Sequence, residues 1–131
     1  MNREIKFRGK SIMNNTYGEW LHSSGIKYGD DVELMYCDEE TSDEWNYIDK
    51  ETLGQYTGLD DKNGKEIYEG DIVKYRDSNG QHIEKVIFDK GCFYAGMHCG
   101  SSTRVAPKLI NPRITEVIGN IYDNPELLGG E

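Results

Sequence analysis

The chain has 131 residues, of which 36% are hydrophobic and 30% charged, and its formal net charge is −9. That length fits one domain, or a small barrel with an added lobe, and the Tyr, Ile and Val content is too high for a disordered chain. The first residues are charged and no apolar run approaches the ~18 residues of a membrane span, so we expect neither a secretory signal nor a membrane protein. The three cysteines then predict reduced thiols in the cytoplasm.

The chain opens with basic and apolar residues in strict alternation over positions 3–8. This pattern predicts a half-buried strand with a basic outer face. The basic residues are Arg3, Lys6 and Arg8, and the apolar ones are Ile5 and Phe7. A second strand at 17–22 would complete a β-meander. We interpret its Trp20 as a residue that packs against the sheet, because a lone Trp has no companion stacking surface in the sequence.

An acidic segment over residues 30–51 carries the whole charge excess, with ten acidic residues against one base, Lys50. Residues 32–37 predict a short strand within it. We expect residues 38–49 to form an acidic loop, with Thr41 and Glu44 as a weak capping box for a brief helix. Such a segment repels nucleic acid and favours basic protein surfaces, or it serves only to keep the protein soluble.

Two aromatic residues, Trp45 and Tyr47, interrupt this acidic segment. If exposed, they would form an aromatic anchor with an acidic rim, a pattern typical of protein-binding patches. If buried, they would only hold the loop against the rest of the fold. The candidate protein interface consists of Trp45, Tyr47, Asp43, Glu44, Asp38, Glu39 and Glu40.

The strongest turn signals lie in the central stretch, residues 53–75. Asn63-Gly64 between strand-like runs predicts a hairpin, and Gly70 with its acidic neighbours predicts a second reversal. A β-branched and aromatic run follows at 72–75. Two turns within about a dozen residues predict the short strands of a small barrel. The candidate structural turn motif consists of Asn63, Gly64, Glu69, Gly70 and Asp71.

The remainder of the chain continues the β pattern. A second Asn-Gly pair, Asn79-Gly80, predicts another hairpin. Gly119 is expected to mark a bulge or a close approach in the last strand, and Asn124 to begin a single helical turn. The expected strands cover residues 82–88, 92–95, 105–110 and 114–122.

The Cys and His residues do not have the spacing along the chain that a catalytic or metal site requires. Cys92, His98 and Cys99 lie near one another, with His82 one hairpin earlier, but their spacing does not match a zinc site. His98 and Cys99 are adjacent on the chain, so on a strand they would point to opposite faces and could not act as a nucleophilic pair. We therefore predict no catalytic residue, no metal and no cofactor, and we expect that the protein is not an enzyme.

Three blocks resemble the YopX family, small proteins of phages and prophages. The longest is YTGLDDKNGKEIYEGDIV over residues 56–73, and shorter ones lie at 3–8 and 117–128. Gly9 and Lys10 depart from the family's opening, and residues 11–52 resemble nothing that we can name. The resemblance implies an SH3-like β-barrel in the second half, after a β-rich first part. It implies no activity, because the family has no established one.

The sequence thus predicts a mainly β protein with an N-terminal β-meander and acidic loop over 1–52, and a C-terminal SH3-like small β-barrel over 53–131. We expect a phage- or prophage-encoded, non-catalytic binding or assembly module in the bacterial cytoplasm. Its partner would be a host or phage protein, or a second copy in a homo-oligomer. The alternative is a nucleic-acid-binding barrel that uses the basic strand with Arg3, Lys6, Arg8 and Lys10. A metal-dependent enzyme is a third hypothesis.

Overall fold

A computed structural model describes residues 4–38, 41–89, 91–96 and 108–128, and for residues 36–38, 41–44 and 108 it describes the backbone alone. The chain divides into two compact units, Met1–Tyr56 and Thr57–Glu131. The division falls inside one strand, β6. Of the candidate residues, Arg3, Glu39, Glu40, His98 and Cys99 lie outside the described residues.

The first unit contains five complete strands and a short 3₁₀ helix, followed by the start of β6. Their bounds are β1 Phe7–Lys10, β2 Trp20–Ser23, β3 Ile26–Tyr28, β4 Val32–Asp38, β5 Thr41–Ile48, the 3₁₀ helix Lys50–Thr52, and β6 Gly54–Asp60. β1 pairs with β2 and with the first residues of β6, while β3, β4 and β5 form an antiparallel sheet in that order. The core consists of Leu21, Val32, Leu34 and Ile48.

The first strand begins later than the alternation predicted, since β1 starts at Phe7. Ile5, which the pattern placed on the buried face, is 49% exposed. The predicted outward position of Arg8 is wrong, because its side chain is only 8% exposed. The Trp20 ring of β2 covers it, with the guanidinium carbon 4.6 Å from the ring centroid.

The acidic segment is a β-hairpin, and the prediction of a loop over 38–49 is wrong. Thr41 begins β5, so it does not cap a helix. β5 pairs with β4 from Val32↔Ile48 to Asp38↔Thr41. Burial of Val32 and Ile48 in the core sets this register, and the tertiary pairing outweighs the weak strand preference of the acidic residues.

The second unit is built on an antiparallel sheet of five strands in the order β11-β10-β9-β8-β12. Its elements are β7 Glu66–Tyr68, β8 Asp71–Asp77, β9 Gly80–Asp89, β10 Cys92–Gly96, β11 Lys108–Leu109, β12 Glu116–Asn120 and a 3₁₀ helix Pro125–Leu128. The core consists of Ile67, Val73, Tyr75, Val86, Ala95, Ile110 and Val117. The mainly β class is confirmed. Among the described residues no sheet closes into a barrel, so the finer SH3-like detail is not confirmed.

The turn signals of this unit appear in the structure as expected. Gly80 has a φ of +114° and follows Asn79 in the hairpin between β8 and β9. The pairing of β12 with β8 shifts register between Val117 and Gly119, which confirms the predicted bulge. Each feature is set by residues close in sequence, which is why the sequence could predict it.

The helical content among the described residues is limited to the two short 3₁₀ helices, Lys50–Thr52 and Pro125–Leu128. Neither is long and apolar enough to cross a membrane. The second follows Asn124, where one helical turn was expected.

Candidate functional site

An aromatic face lies on the sheet of β3, β4 and β5. Trp45 and Tyr47 are two positions apart on β5, so both point to the same side of the sheet. Their cross-strand partners are Met35 and Glu33 of β4, and Glu33 in turn pairs with Lys27 of β3. We use the name "aromatic face" for Lys27, Glu33, Met35, Trp45 and Tyr47.

Contacts within the aromatic face hold the Trp45 ring in place. The Lys27 ammonium lies 4.3 Å from the ring centroid, within the range of a cation–π interaction. Gly25 lies against the far edge of the ring. A Cβ added at Gly25 would lie 3.0 Å from Met35 Cβ and 3.7 Å from Trp45 Cη2, so a larger residue at Gly25 would make a tight contact with Met35 and touch the ring. The ring is therefore contacted from the side of Lys27 and lies close to Gly25.

Exposure differs between the two aromatic residues. Trp45 is half-buried, whereas Tyr47 is 43% exposed. The backbone of Tyr47 is anchored, since its carbonyl oxygen accepts a hydrogen bond from Ile12 N at 3.0 Å. The face thus presents a partly covered indole beside an accessible phenol.

The acidic residues around this face are only partly described. Asp38 ends β4, and Asp43 and Glu44 lie in β5, but the structure describes only their backbone. Other acidic residues of the segment, Asp30, Asp31, Asp49 and Glu51, are exposed. The two aromatic residues can be identified from the sequence, whereas Lys27, Glu33 and Met35 cannot, because residues 38–49 are expected to be a loop and a loop has no cross-strand partner.

The turn after β6 is organised by a buried carboxylate, that of Asp61. Its Oδ1 accepts hydrogen bonds from the backbone N–H groups of Asn63 at 2.8 Å and Lys65 at 2.9 Å. Gly64 occupies the left-handed region at φ +85°. The Asp61 Oδ2 accepts a third bond from Val117 N of β12, at 2.9 Å. Asp61 therefore joins the hairpin turn to a strand that is 56 residues away.

The protonation of Asp61 follows from these contacts. Burial by itself would raise the pKa of the Asp61 carboxyl group. The backbone donors of Val117, Lys65 and Asn63, together with the charge of Lys65, lower it more, so the net pKa lies below the ordinary value. Asp61 is accordingly a charged structural group.

The second turn of the predicted motif brings Gly70 and Asp71 against the last strand. The Asp71 Oδ2 accepts a hydrogen bond from Tyr68 N at 2.8 Å, and Asp71 is 2% exposed. Gly70 has a φ of +92°, and its carbonyl oxygen accepts a bond from Ile121 N at 2.9 Å. These contacts give the motif a structural role in positioning β7 and β8.

The basic residues in and just before β1 lie over aromatic rings. The Lys6 ammonium lies 5.6 Å from the Tyr56 centroid, and the Lys10 ammonium lies 5.4 Å from that of Trp20. The Arg8 guanidinium also contacts the Trp20 ring, as described above. The basic strand therefore packs within the first unit, with Tyr56 only 7% exposed.

Of the residues considered for zinc, the structure describes only His82 and Cys92. The His82 Nε2 lies 2.9 Å from Asp77 Oδ1, and Cys92 is exposed. Within the part of the chain that the structure describes, no three His, Cys, Asp or Glu side chains are grouped as a metal site would require.

Comparison with known families assigns the chain. The model of the YopX family, described as "YopX protein", matches residues 6–129, nearly the whole length. The chain belongs to the YopX family. This YopX-family chain is also similar to a crystal structure of protein EF1440 from Enterococcus faecalis, with 24% identity and a TM-score of 0.55 over 97% of this chain and 99% of that one. That likeness shows the fold alone. A search of curated proteins finds no match.

Proposed function

We propose that this YopX-family protein is a non-catalytic binding or assembly module that engages a protein partner through the aromatic face. We infer that it is encoded by a phage or prophage, acts in the host cytoplasm, and carries an SH3-like second unit. The observation that supports the interface is that Trp45 and Tyr47 lie on one side of a short sheet, where the Lys27 ammonium contacts the indole.

The chemistry of the aromatic face suits protein recognition. Trp and Tyr are the residues most enriched at energetically important interface positions, since each buries a large ring and keeps a polar group for hydrogen bonding. A side chain already fixed in the free protein loses less entropy on binding. The cation–π contact of Trp45 with Lys27 favours such a preset orientation.

The charge of the surrounding segment indicates the partner's chemistry. Residues 30–51 carry ten acidic side chains against one basic side chain. Two copies of this segment would repel each other, whereas a basic surface on another protein would be attracted and steered into contact. We therefore place a basic host or phage protein ahead of a second copy of the chain as the partner.

The test uses the full chain, immobilised, with a lysate of the host bacterium, followed by titration of each purified protein that is retained. A double variant, Trp45→Ala with Tyr47→Ala, is expected to bind the partner at least about 30-fold more weakly, because truncating such anchors typically costs 2 kcal/mol or more. The matched control is Tyr17→Ala, since Tyr17 is 74% exposed in the same unit but outside the aromatic face.

The outcome decides between the face and other surfaces. Retention of a protein is not sufficient support, because the double variant must lose it while Tyr17→Ala keeps it. Equal binding of the partner by the wild type, the double variant and Tyr17→Ala would remove the aromatic face from consideration. Light scattering on the free chain gives its mass, and a dimer abolished by the double variant would show that the occupant is a second copy.

Nucleic-acid binding is the second candidate, favoured by Lys6 just before β1 and Lys10 at its end, which lie beside Tyr56 and Trp20. Arg8, however, is nearly buried, so a phosphate would reach it only after Trp20 moved. We expect no retention on DNA or RNA at about 150 mM salt. Retention that falls steeply with salt, and that is lost in Lys6→Ala with Lys10→Ala, would favour this alternative instead.

A further inference from the structure

A cavity of about 230 Å³ lies beside the end of β8 in the second unit. Most of its wall is apolar, formed by the Tyr75 ring, Ala95, Leu109, Ile110 and Ile114. Leu109 is 68% exposed and Ile114 is 39% exposed, so these two side chains stand at the mouth. A dry apolar cavity of about 150 Å³ is sufficient to hold benzene. This one therefore has room for a ring with a small substituent.

Besides the residues just named, the wall contains the polar residues Thr115, Asn111 and Asp77. Thr115 and Asn111 form hydrogen bonds within their own turn. The Thr115 hydroxyl donates to Asn111 O at 2.7 Å, and Asn111 Oδ1 accepts from Arg113 N at 3.0 Å. The remaining polar wall residue is Asp77, the last residue of β8.

Asp77 is held rigidly by its neighbours. Its Oδ1 accepts a hydrogen bond from Asn79 N at 2.8 Å and lies 2.9 Å from His82 Nε2. A carboxylate offers about four acceptor positions, so these two bonds do not by themselves exhaust its capacity. The side chain is 20% exposed, which places the carboxylate at the border between cavity and solvent.

The His82 imidazole also fixes a wall of the cavity. Its ring stacks on that of Tyr75, with centroids 4.9 Å apart and planes at 25°. Tyr75 is 8% exposed and belongs to the core, so its ring is packed by its neighbours while it lines the cavity. Flat aromatic walls favour planar ligands, since the rings stack with an offset.

We propose that this cavity binds a small aromatic ring carrying a hydrogen-bond-donating nitrogen, as in an aromatic amine or amidine. The ring lies among Tyr75, Ala95 and Ile114, and the nitrogen donates to Asp77. A carboxylate ligand is disfavoured, because it would meet the Asp77 charge in a partly desolvated site. The site is separate from the aromatic face, so either proposal can fail without the other.

The experiment follows backbone amide NMR signals of the full chain during titration with benzamidine, benzyl alcohol and benzoate. We expect saturable shifts at Ala95, Ile110 and Thr115 with benzamidine. Benzyl alcohol, which donates a neutral hydrogen bond, binds more weakly. Benzoate binds at least about tenfold more weakly than benzamidine, because its charge has the same sign as that of Asp77.

Three variants locate the binding. Ile114→Trp fills the mouth with a larger ring and is expected to weaken benzamidine binding at least tenfold. If that variant does not fold, Leu109→Trp takes its place, because it fills the mouth from the other side and is expected to have the same effect. The control is Ile83→Trp on β9, because Ile83 is 40% exposed but does not line the cavity. Asp77→Asn keeps an acceptor for Asn79 and removes the preference for benzamidine over benzyl alcohol.

Three results would overturn the proposal. The first is the absence of saturable shifts at the cavity residues with benzamidine up to about 10 mM, the weak end at which fragments of this size are still measurable. The second is benzamidine binding that is unchanged in the folded mouth variants. Equal affinity for benzoate and benzamidine would contradict the assigned ligand class.

Discussion

Replacing Asp61 by Asn is expected to lower the free energy of unfolding of the second unit by about 3 kcal/mol. The Asn side chain keeps one oxygen for the N–H groups of Asn63 and Lys65. Its amide nitrogen then faces the N–H of Val117, so two donors meet and neither is satisfied. The variant also exchanges charge-assisted bonds for weaker neutral ones, in a residue that is 6% exposed.

The measurement is urea denaturation of the full chain followed by far-UV circular dichroism, with hydrogen exchange at the amide of Val117. That amide should lose its protection in the variant. The matched control is Asp89→Asn, since Asp89 is an exposed carboxylate at the end of β9 in the same unit. Asp61→Asn with the same stability as Asp89→Asn would contradict the structural role of the carboxylate.

The pH dependence of stability provides a separate check on Asp61. Its folded pKa is lowered relative to the ordinary value of 3.8. Its stabilising contribution is therefore complete above the unfolded pKa, near 4, and is lost as the pH falls through the folded pKa. We expect the stability difference between wild type and Asp61→Asn to be constant from pH 7 to 5 and to narrow below about pH 4.

Replacing Gly9 by Val is expected to lower the free energy of unfolding of the first unit by about 3 kcal/mol. Gly9 lies in β1 directly against Ile48. A Cβ at this position would lie 3.2 Å from both Cβ and Cγ1 of Ile48, and closer still to Cδ1. Ile48 is 3% exposed and packs with Val32 and Leu34, so it has no space into which to move.

Tryptophan fluorescence during urea denaturation measures this effect, because both tryptophans, Trp20 and Trp45, lie in the first unit. The matched control is Gly29→Val. A Cβ at Gly29 meets nothing nearer than Asp31 O at 4.0 Å, and the position has no left-handed backbone. An unfolding midpoint of Gly9→Val equal to that of Gly29→Val would show that β1 can move away from Ile48.

The predictions that succeeded concern features set by neighbouring residues. Asn79-Gly80 supplies its own positive φ, and Gly119 allows the bulge in β12. A contiguous block such as residues 56–73 likewise carried the family resemblance, which the family match confirms. Each signal lies within a few positions along the chain, so no knowledge of the tertiary structure was needed.

The predictions that failed depend on partners far away in the sequence. β5 is a strand because β4 pairs with it, although its acidic residues and the Thr41 signal favoured other structures. Arg8 is buried because Trp20 of the neighbouring strand covers it, and alternation alone gives no information on what lies above a face. Whether a sheet closes into a barrel depends on twist and strand order, neither of which is local.

The candidate sites show the same difference between features set by neighbouring residues and features set by residues far away in the sequence. Trp45 and Tyr47 could be identified from composition, whereas Lys27 and Met35 join them only through the register of β3, β4 and β5. Asp61 has a sufficient local explanation as a turn residue, so nothing in the neighbouring residues indicates its bond to Val117. The cavity beside Tyr75 and Asp77 depends on residues from β8, β10 and the 109–115 segment, which no pattern links.

During synthesis, Asp61 leaves the ribosome 56 residues ahead of Val117. At translation rates of about 5–20 residues per second, roughly 3–11 seconds pass before the third hydrogen bond of its carboxylate can form. In that interval all strands of the first unit are already available, while β8 still lacks β12 on one edge. A chain stalled before Val117 would therefore display an unpaired strand edge and an incomplete turn, the features by which nascent chains aggregate or are degraded.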